Sequence, residues 1–242
     1  GQYYLHSFLR EQPDLNWRNP DVEQAVFDDM KYWFERGVDG FRLDVINLIV
    51  KDGQYRNNPC HEGATIRPYD MQRHLYDRDQ PEAHHVLKRM RQMTDRYDQR
   101  MLVGEIMVDK PGDPVLAASY QGEEADELHL AFDFSFTYAP WDASRFRKLA
   151  QAWYDAAGTH RWPCWVLSNH DVVRAFSRFG NNQDRARLSA LFLLTQKGTP
   201  FIYYGEEIGM RDLPVAPWNI HDPVGKRYWP FHPGRDGQRR PM

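Results

Sequence analysis

The chain has 242 residues, enough for a sizeable core and one or two domains. Its net charge of −3, with both signs interspersed, offers neither the basic stripe of a nucleic-acid binder nor an acidic tail, and no apolar run nears the ~20 residues of a membrane span. Cys60 and Cys164 are too few and too far apart for a disulfide framework, which favours free thiols and a reducing, cytoplasmic setting.

Aromatic residues make up 14% of the chain, which suits a large core and a site that stacks flat apolar faces equally well. The opening "GQYYLHSF" has no basic n-region and no long apolar h-region, so it is not a signal peptide. It reads as strand-like text cut from something longer, and the ending "GRDGQRRPM" reads as a turn-rich loop.

The first predicted element is a helix in residues 19–37. Asn19 is its N-cap, Pro20 suits the first turn and Gly37 suits the C′ position. Val22, Val26, Met30, Trp33 and Phe34 form its apolar stripe. The strand "VDGFRLDV" follows, then a polar loop over roughly residues 52–80. A second helix, "QPEAHHVLKRMRQMTDRY", opens at Pro81 and turns Leu87, Met90 and Tyr97 to one side; His84 and His85 read as a partly exposed pair. The strand "RMLVGEI" comes next, then a loop with Pro111, Gly112 and Pro114, and a strand in "LHLAFDFSF". The helix "DASRFRKLAQAWYDAAG", the strand "PCWVLSNHD", a helix "DRARLSALFLLTQKG" ended at Gly198 and the strand "TPFIYYGEEIG" complete the series.

Five strands with helices between them predict an α/β chain of parallel β/α units. Neither a GxGxxG nor a GxxxxGK loop is present, which favours a partial (β/α)8 TIM barrel over a nucleotide-binding open sheet. In a barrel the chemistry sits where strands end. "GFRLDVIN" puts Arg42 and Asp44 on one face of its strand. Burying such charges without a partner costs several kcal/mol, on the order known for real proteins. They therefore read either as an ion pair that fixes register or as a site in which Arg42 keeps Asp44 ionised. Glu105 ends an apolar strand after Gly104, a setting for a proton donor that another group can approach closely. Asp171 ends a third strand beside Asn169 and His170. None of these has the His/Cys spacing of a zinc site. Two opposed carboxylates suit glycoside hydrolysis, and a third can bind sugar hydroxyls in the transition state.

"QPDLNW" (12–17), "GFRLDVIN", "LVGEI" and "VLSNHD" resemble, in order, four conserved regions of the α-amylase superfamily, glycoside hydrolase family 13. "QPDLN" and "GRDGQRRPM" are similar to the versions found in its oligo-1,6-glucosidase and α-glucosidase branch. The resemblance implies Asp44 as nucleophile, Glu105 as general acid/base and Asp171 as transition-state stabiliser. Arg42, His170 and Arg235 would contact the sugar. Val45, which follows the nucleophile, resembles the residue of α-1,6-acting members.

The same resemblance implies that the chain holds barrel strands four to eight. Residues 1–18 would then close an inserted domain and return to the barrel, and residues 19–242 would be the C-terminal part of the catalytic barrel. Five strands cannot close a barrel, so this piece alone is expected to lack hydrolytic activity. The implied partner is a small oligosaccharide, with no nucleic acid and no membrane; the oligomeric state stays open. No cofactor is implied, and a structural metal ion would fall to the absent N-terminal part. A transferase, an isomerase and a non-catalytic relative share the scaffold. Glu206 and Glu207 of "YYGEE", with Asp14 and Asn16 of "QPDLN", read as structural residues.

Overall fold

The computed structural model describes residues 1–61, 68–108 and 112–242. These fall into two compact units, Gly1–Met107 with Ser119–Ala131, and Val108–Ala118 with Phe132–Met242. Part of the polar loop (62–67) and Pro111 lie outside the described residues.

The first unit opens with turns and then enters helix α1, Pro20–Phe34. Asn19 caps it by accepting from the Asp21 N–H at 3.0 Å. Its end is a Schellman turn: the Gly37 N–H donates to Phe34 O, the Val38 N–H donates to Trp33 O, and Gly37 supplies the required φ of +91°. The buried stripe is Phe27, Met30 and Phe34. Trp33 was expected in it but is 50% exposed and packs edge-on against Tyr32. Phe34, on the buried side, meets Phe41 at 5.0 Å.

Strand β1 is only Gly40–Leu43 and runs parallel to β2, Met101–Glu105. Helix α2, Pro81–Thr94, joins them and buries Leu87 and Met90, while Tyr97 lies past its end against Phe34. His84 is more engaged than a surface pair would be. Its Nδ1 lies 2.8 Å from Glu127 Oε2, and its ring stacks on Tyr120. Strand β3, Leu130–Phe132, completes a sheet in the order β1-β2-β3. It is shorter than the nine-residue apolar stretch suggested, because residues 135–137 turn into a 3₁₀ helix.

In the second unit the short helix α3, Pro114–Ser119, leads in. Helix α4, Ala143–Ala157, is capped by Asp142, which accepts from the Arg145 N–H at 2.6 Å. Strand β4, Cys164–Val166, pairs in parallel with β5, Thr199–Phe201. Between them lie the short helix α5, Ala175–Arg178, and helix α6, Gln183–Thr195, capped by Asn182. Gly198 was expected to end α6, but the helix stops at Thr195. Gly198 instead holds φ +143° beside Trp165, where a Cβ would come within 2.8 Å of Pro163 O. Helix α7, Pro223–Tyr228, lies in the C-terminal loop region.

Both cysteines are free thiols, Cys60 exposed and Cys164 buried. Burial, with the nearby Asp133 charge, pushes the Cys164 thiol well above its ordinary pKa. Asp133 is itself buried, and among the described residues neither of its oxygens has a hydrogen-bond partner. Burial raises its pKa to about 6. A raised carboxyl pKa means that the folded chain holds a proton which the unfolded chain releases near pH 4. Stability is then lost as pH rises from about 4 to about 6. Asp133→Asn is expected to stabilise the protein at pH 7 by on the order of 2–3 kcal/mol and to flatten the acid side of its stability profile. Thermal unfolding of the full-length protein at pH 4.5 and pH 7 checks both.

Candidate active site

In the first unit the parallel register pairs Arg42 with Val103 and Leu43 with Gly104. Glu105 ends β2, and Asp44 directly follows the last paired residue of β1, in the turn after it. The Arg42 guanidinium donates from Nη1 to Asp44 Oδ1 and from Nη2 to Glu105 Oε2. One cation thus bridges two anions.

In this chain these groups lie at a surface, not in a core. The Asp44 side chain is 71% exposed and Arg42 37%, while Glu105 is 11% exposed. The two carboxylates that Arg42 joins thus differ in exposure within this chain.

Gly104 serves the opposite face of the sheet. A Cβ there would overlap Leu128 and come within 3.1 Å of Ile46. Its lack of a side chain admits an apolar layer, not a ligand.

The strand ends at Leu43, two residues before the sequence pattern placed its end. Val45 then takes φ +36°, ψ +48°, a left-handed conformation that a β-branched residue rarely holds. Strain of this kind costs on the order of 1–3 kcal/mol. It breaks the strand alternation and places Val45 with Asp44 on the wall of a cavity of about 160 Å³. Leu15, Trp17 and Lys51 also line it.

Two groups hold this turn. Lys51 donates from Nζ to Leu48 O and lies 3.4 Å from Asp14 Oδ2, and burial lowers the Lys51 pKa despite that carboxylate. Asn47 is fully buried and clamps the loop after β1 to the loop after β2. It donates to Met107 O at 2.9 Å and accepts from the Met107 N–H at 2.9 Å. Its Nδ2 also donates to Asp79, which Tyr120 bonds in turn. The partners of Asn47 lie about 30 and 60 residues away, beyond any local pattern. Asp14 does brace a loop as the sequence suggested, accepting from Ser7 Oγ.

The second unit carries Asp171 in an Asx turn after β4, its N–H donating to Asn169 Oδ1 at 2.9 Å. His170 Nε2 lies 3.3 Å from Asp171 Oδ2. Asp171 Oδ1 accepts from Arg235 Nη1 at 2.7 Å and from Arg239 Nη2 at 2.8 Å. Arg239 was not singled out in the sequence, although "GRDGQRR" spaces two arginines four apart. Arg235 is joined to Asp222 by its other edge. Glu206 accepts from Ser168 Oγ and from the Tyr203 N–H. Burial raises the Glu206 pKa, and these bonds to the strand ends fit the structural role expected of it. Among the described residues, no three His, Cys, Asp or Glu side chains cluster as metal ligands, and no helix is long and apolar enough to cross a membrane.

Parallel β/α units with acidic residues where strands end are the arrangement that the structure presents. The family described as alpha amylase, catalytic domain, matches residues 1–242, and the chain belongs to it. It is 38% identical over 255 residues to a probable alpha-glucosidase of Rhizobium meliloti, covering 100% of this chain and 46% of that protein. It is 33% identical over 276 residues to the oligo-1,6-glucosidase of Parageobacillus thermoglucosidasius, covering 100% of this chain and 48% of that one. The crystal structure of the alpha-glucosyl transfer enzyme XgtA aligns with TM-score 0.91 at 37% identity, over 99% of this chain and 46% of that one. The chain therefore spans about half the length of the relatives it matches.

Proposed function

We propose that the full-length protein is a retaining α-glucosidase that removes terminal α-linked glucose from short oligosaccharides. The observation that carries this reading is the single guanidinium bridging Asp44 and Glu105 at the ends of adjacent parallel strands. Retaining hydrolysis needs two carboxyl groups about 5–5.5 Å apart. Asp44 attacks the anomeric carbon while Glu105 protonates the leaving oxygen. Water then cleaves the glucosyl-enzyme with Glu105 as base. Asp171, held by Arg235 and Arg239, takes the role of transition-state stabiliser, with His170 a sugar contact. The strands described are assigned as the fourth to the eighth of the barrel, and a reducing cytoplasm suits the free thiols. A slow fluorinated glucosyl substrate followed by peptide mass spectrometry tests the reading. A glucosyl adduct on Asp44 supports it, and an adduct on another residue or none overturns it.

The likeness to a glucosyl transfer enzyme favours transfer to a sugar acceptor as the second reading. Glucose release against disaccharide formation in the product mixture separates the two.

Linkage preference is assigned to Val45. It stands on the cavity wall beside the nucleophile, where a branched apolar side chain limits how the second sugar can lie. An α-1,6 link has an extra rotatable bond with which to bend around it. Val45→Thr adds a hydroxyl at nearly equal volume, and a hydrogen bond from it is worth about 0.5–1.5 kcal/mol. The wild type is expected to prefer isomaltose to maltose, and the variant to move the ratio of kcat/KM several-fold toward maltose. An unchanged ratio assigns specificity elsewhere.

A further inference from the structure

We infer that Asp222 is a positioning residue that aims Arg235 at Asp171; the inference rests on the reading of Asp171 and Arg235 as sugar-site residues. Asp222 precedes α7, and its side chain is 1% exposed. Its carboxylate accepts from Arg235 Nη2 at 2.8 Å, from Nε at 3.2 Å and from the Arg235 backbone N–H at 2.9 Å. These bonds occupy one edge of the guanidinium. The remaining terminal nitrogen, Nη1, is left for Asp171 Oδ1 at 2.7 Å. A planar guanidinium fixed along one edge has little freedom left to rotate, so its other nitrogen has a set direction.

The loop is built to keep Asp222 in place. The backbone N–H of Asp222 donates to Asp236, which also accepts from the His221 N–H. Gly234 holds φ +79°, and a Cβ there would come within 2.9 Å of Gly225 Cα and 3.0 Å of Asp222 Oδ2. The loop closes around the carboxylate only because both positions lack side chains. Burial pushes the Asp222 pKa up, but the bonds and charge of Arg235 outweigh it, and the net direction is down. The group stays ionised as a permanent counter-charge.

Arg239 reaches the same Asp171 oxygen from a different anchor, donating from Nε to His170 O at 2.8 Å. The two arginines are therefore fixed independently. Asp222 hydrogen-bonds Arg235, while the Arg239 charge acts on it without a hydrogen bond. A plain ion pair that only fastened the loop would require no such division.

A double-mutant cycle in the full-length enzyme tests this. kcat/KM for an aryl α-glucoside is measured for Asp222→Asn, Arg235→Ala and the pair together. Asp236→Asn, alone and with Arg235→Ala, is the control, because Asp236 holds the loop through backbone N–H groups and not through Arg235. Asp222→Asn is expected to lose roughly 10- to 100-fold, the scale of a displaced positioning group. That loss should vanish once Arg235 is already alanine, whereas the loss from Asp236→Asn should multiply with it. If Asp222→Asn does not fold, Asp222→Glu takes its place with the same expectation. Losses that multiply for Asp222, or wild-type activity in its variant, overturn the inference. Wild-type activity in Arg235→Ala instead overturns the reading of Arg235 on which it rests.

Discussion

Asp44→Asn in the full-length protein is expected to lower kcat/KM by at least about 10⁴-fold, on the scale seen when a nucleophile is removed. The amide matches the carboxylate in size and can still accept from Arg42, so the turn at 44–48 should keep its shape. What it lacks is the negative charge and the free electron pair that would bond the anomeric carbon. The Arg42 charge, shared between two carboxylates in the wild type, would then fall on Glu105 alone. Two measurements check the result. Steady-state rates give the size of the loss, and mass spectrometry shows whether a glucosyl adduct still forms. A variant that still acquires the adduct would remove Asp44 from the nucleophilic role.

The second large effect is a split between substrates. Glu105→Gln is expected to slow cleavage of a disaccharide by about 10²–10⁴-fold, the usual share of a general acid. An aryl glucoside with a good leaving group needs little protonation, and its first step should be far less affected. Breakdown of the glucosyl-enzyme also needs Glu105, as base, so the covalent intermediate should accumulate with the activated substrate. A pre-steady-state burst would record this. Equal losses on both substrates would take the acid role away from Glu105.

The order of elements was legible because each carries a local signal. Asn19 is a cap read from its neighbours, and it accepts from the Asp21 N–H; Asp142 and Asn182 are caps that the structure adds. The parallel pairing of β1 with β2 and of β4 with β5 follows from the alternation of strands and helices. The pairing of Arg42 with Asp44, two residues apart, was legible too, although Asp44 lies just past the strand's end.

The supporting residues were not legible. Asn47, Lys51 and Asp222 act through the backbone or through a partner on another loop, and composition carries no mark of that. Asp222 meets Arg235 thirteen residues on, across a loop closed by Gly225 and Gly234. The boundary error at β1 has a local cause. A strand pattern continued past Leu43, and nothing in the residue types announced that Val45 would leave the extended region.

That left-handed valine also limits how the protein can be re-engineered. Gly and Asn accept such a backbone at little cost, but neither offers a branched apolar wall to a second sugar. Valine and threonine offer the wall and hold the turn only against on the order of 1–3 kcal/mol of strain. With the role proposed for Val45, the codons that relax the chain are the ones that would discard the selectivity. A library at Val45 should enrich specificity variants only in a background first stabilised elsewhere. In an unstabilised parent it should drift toward glycine, with better folding and looser discrimination.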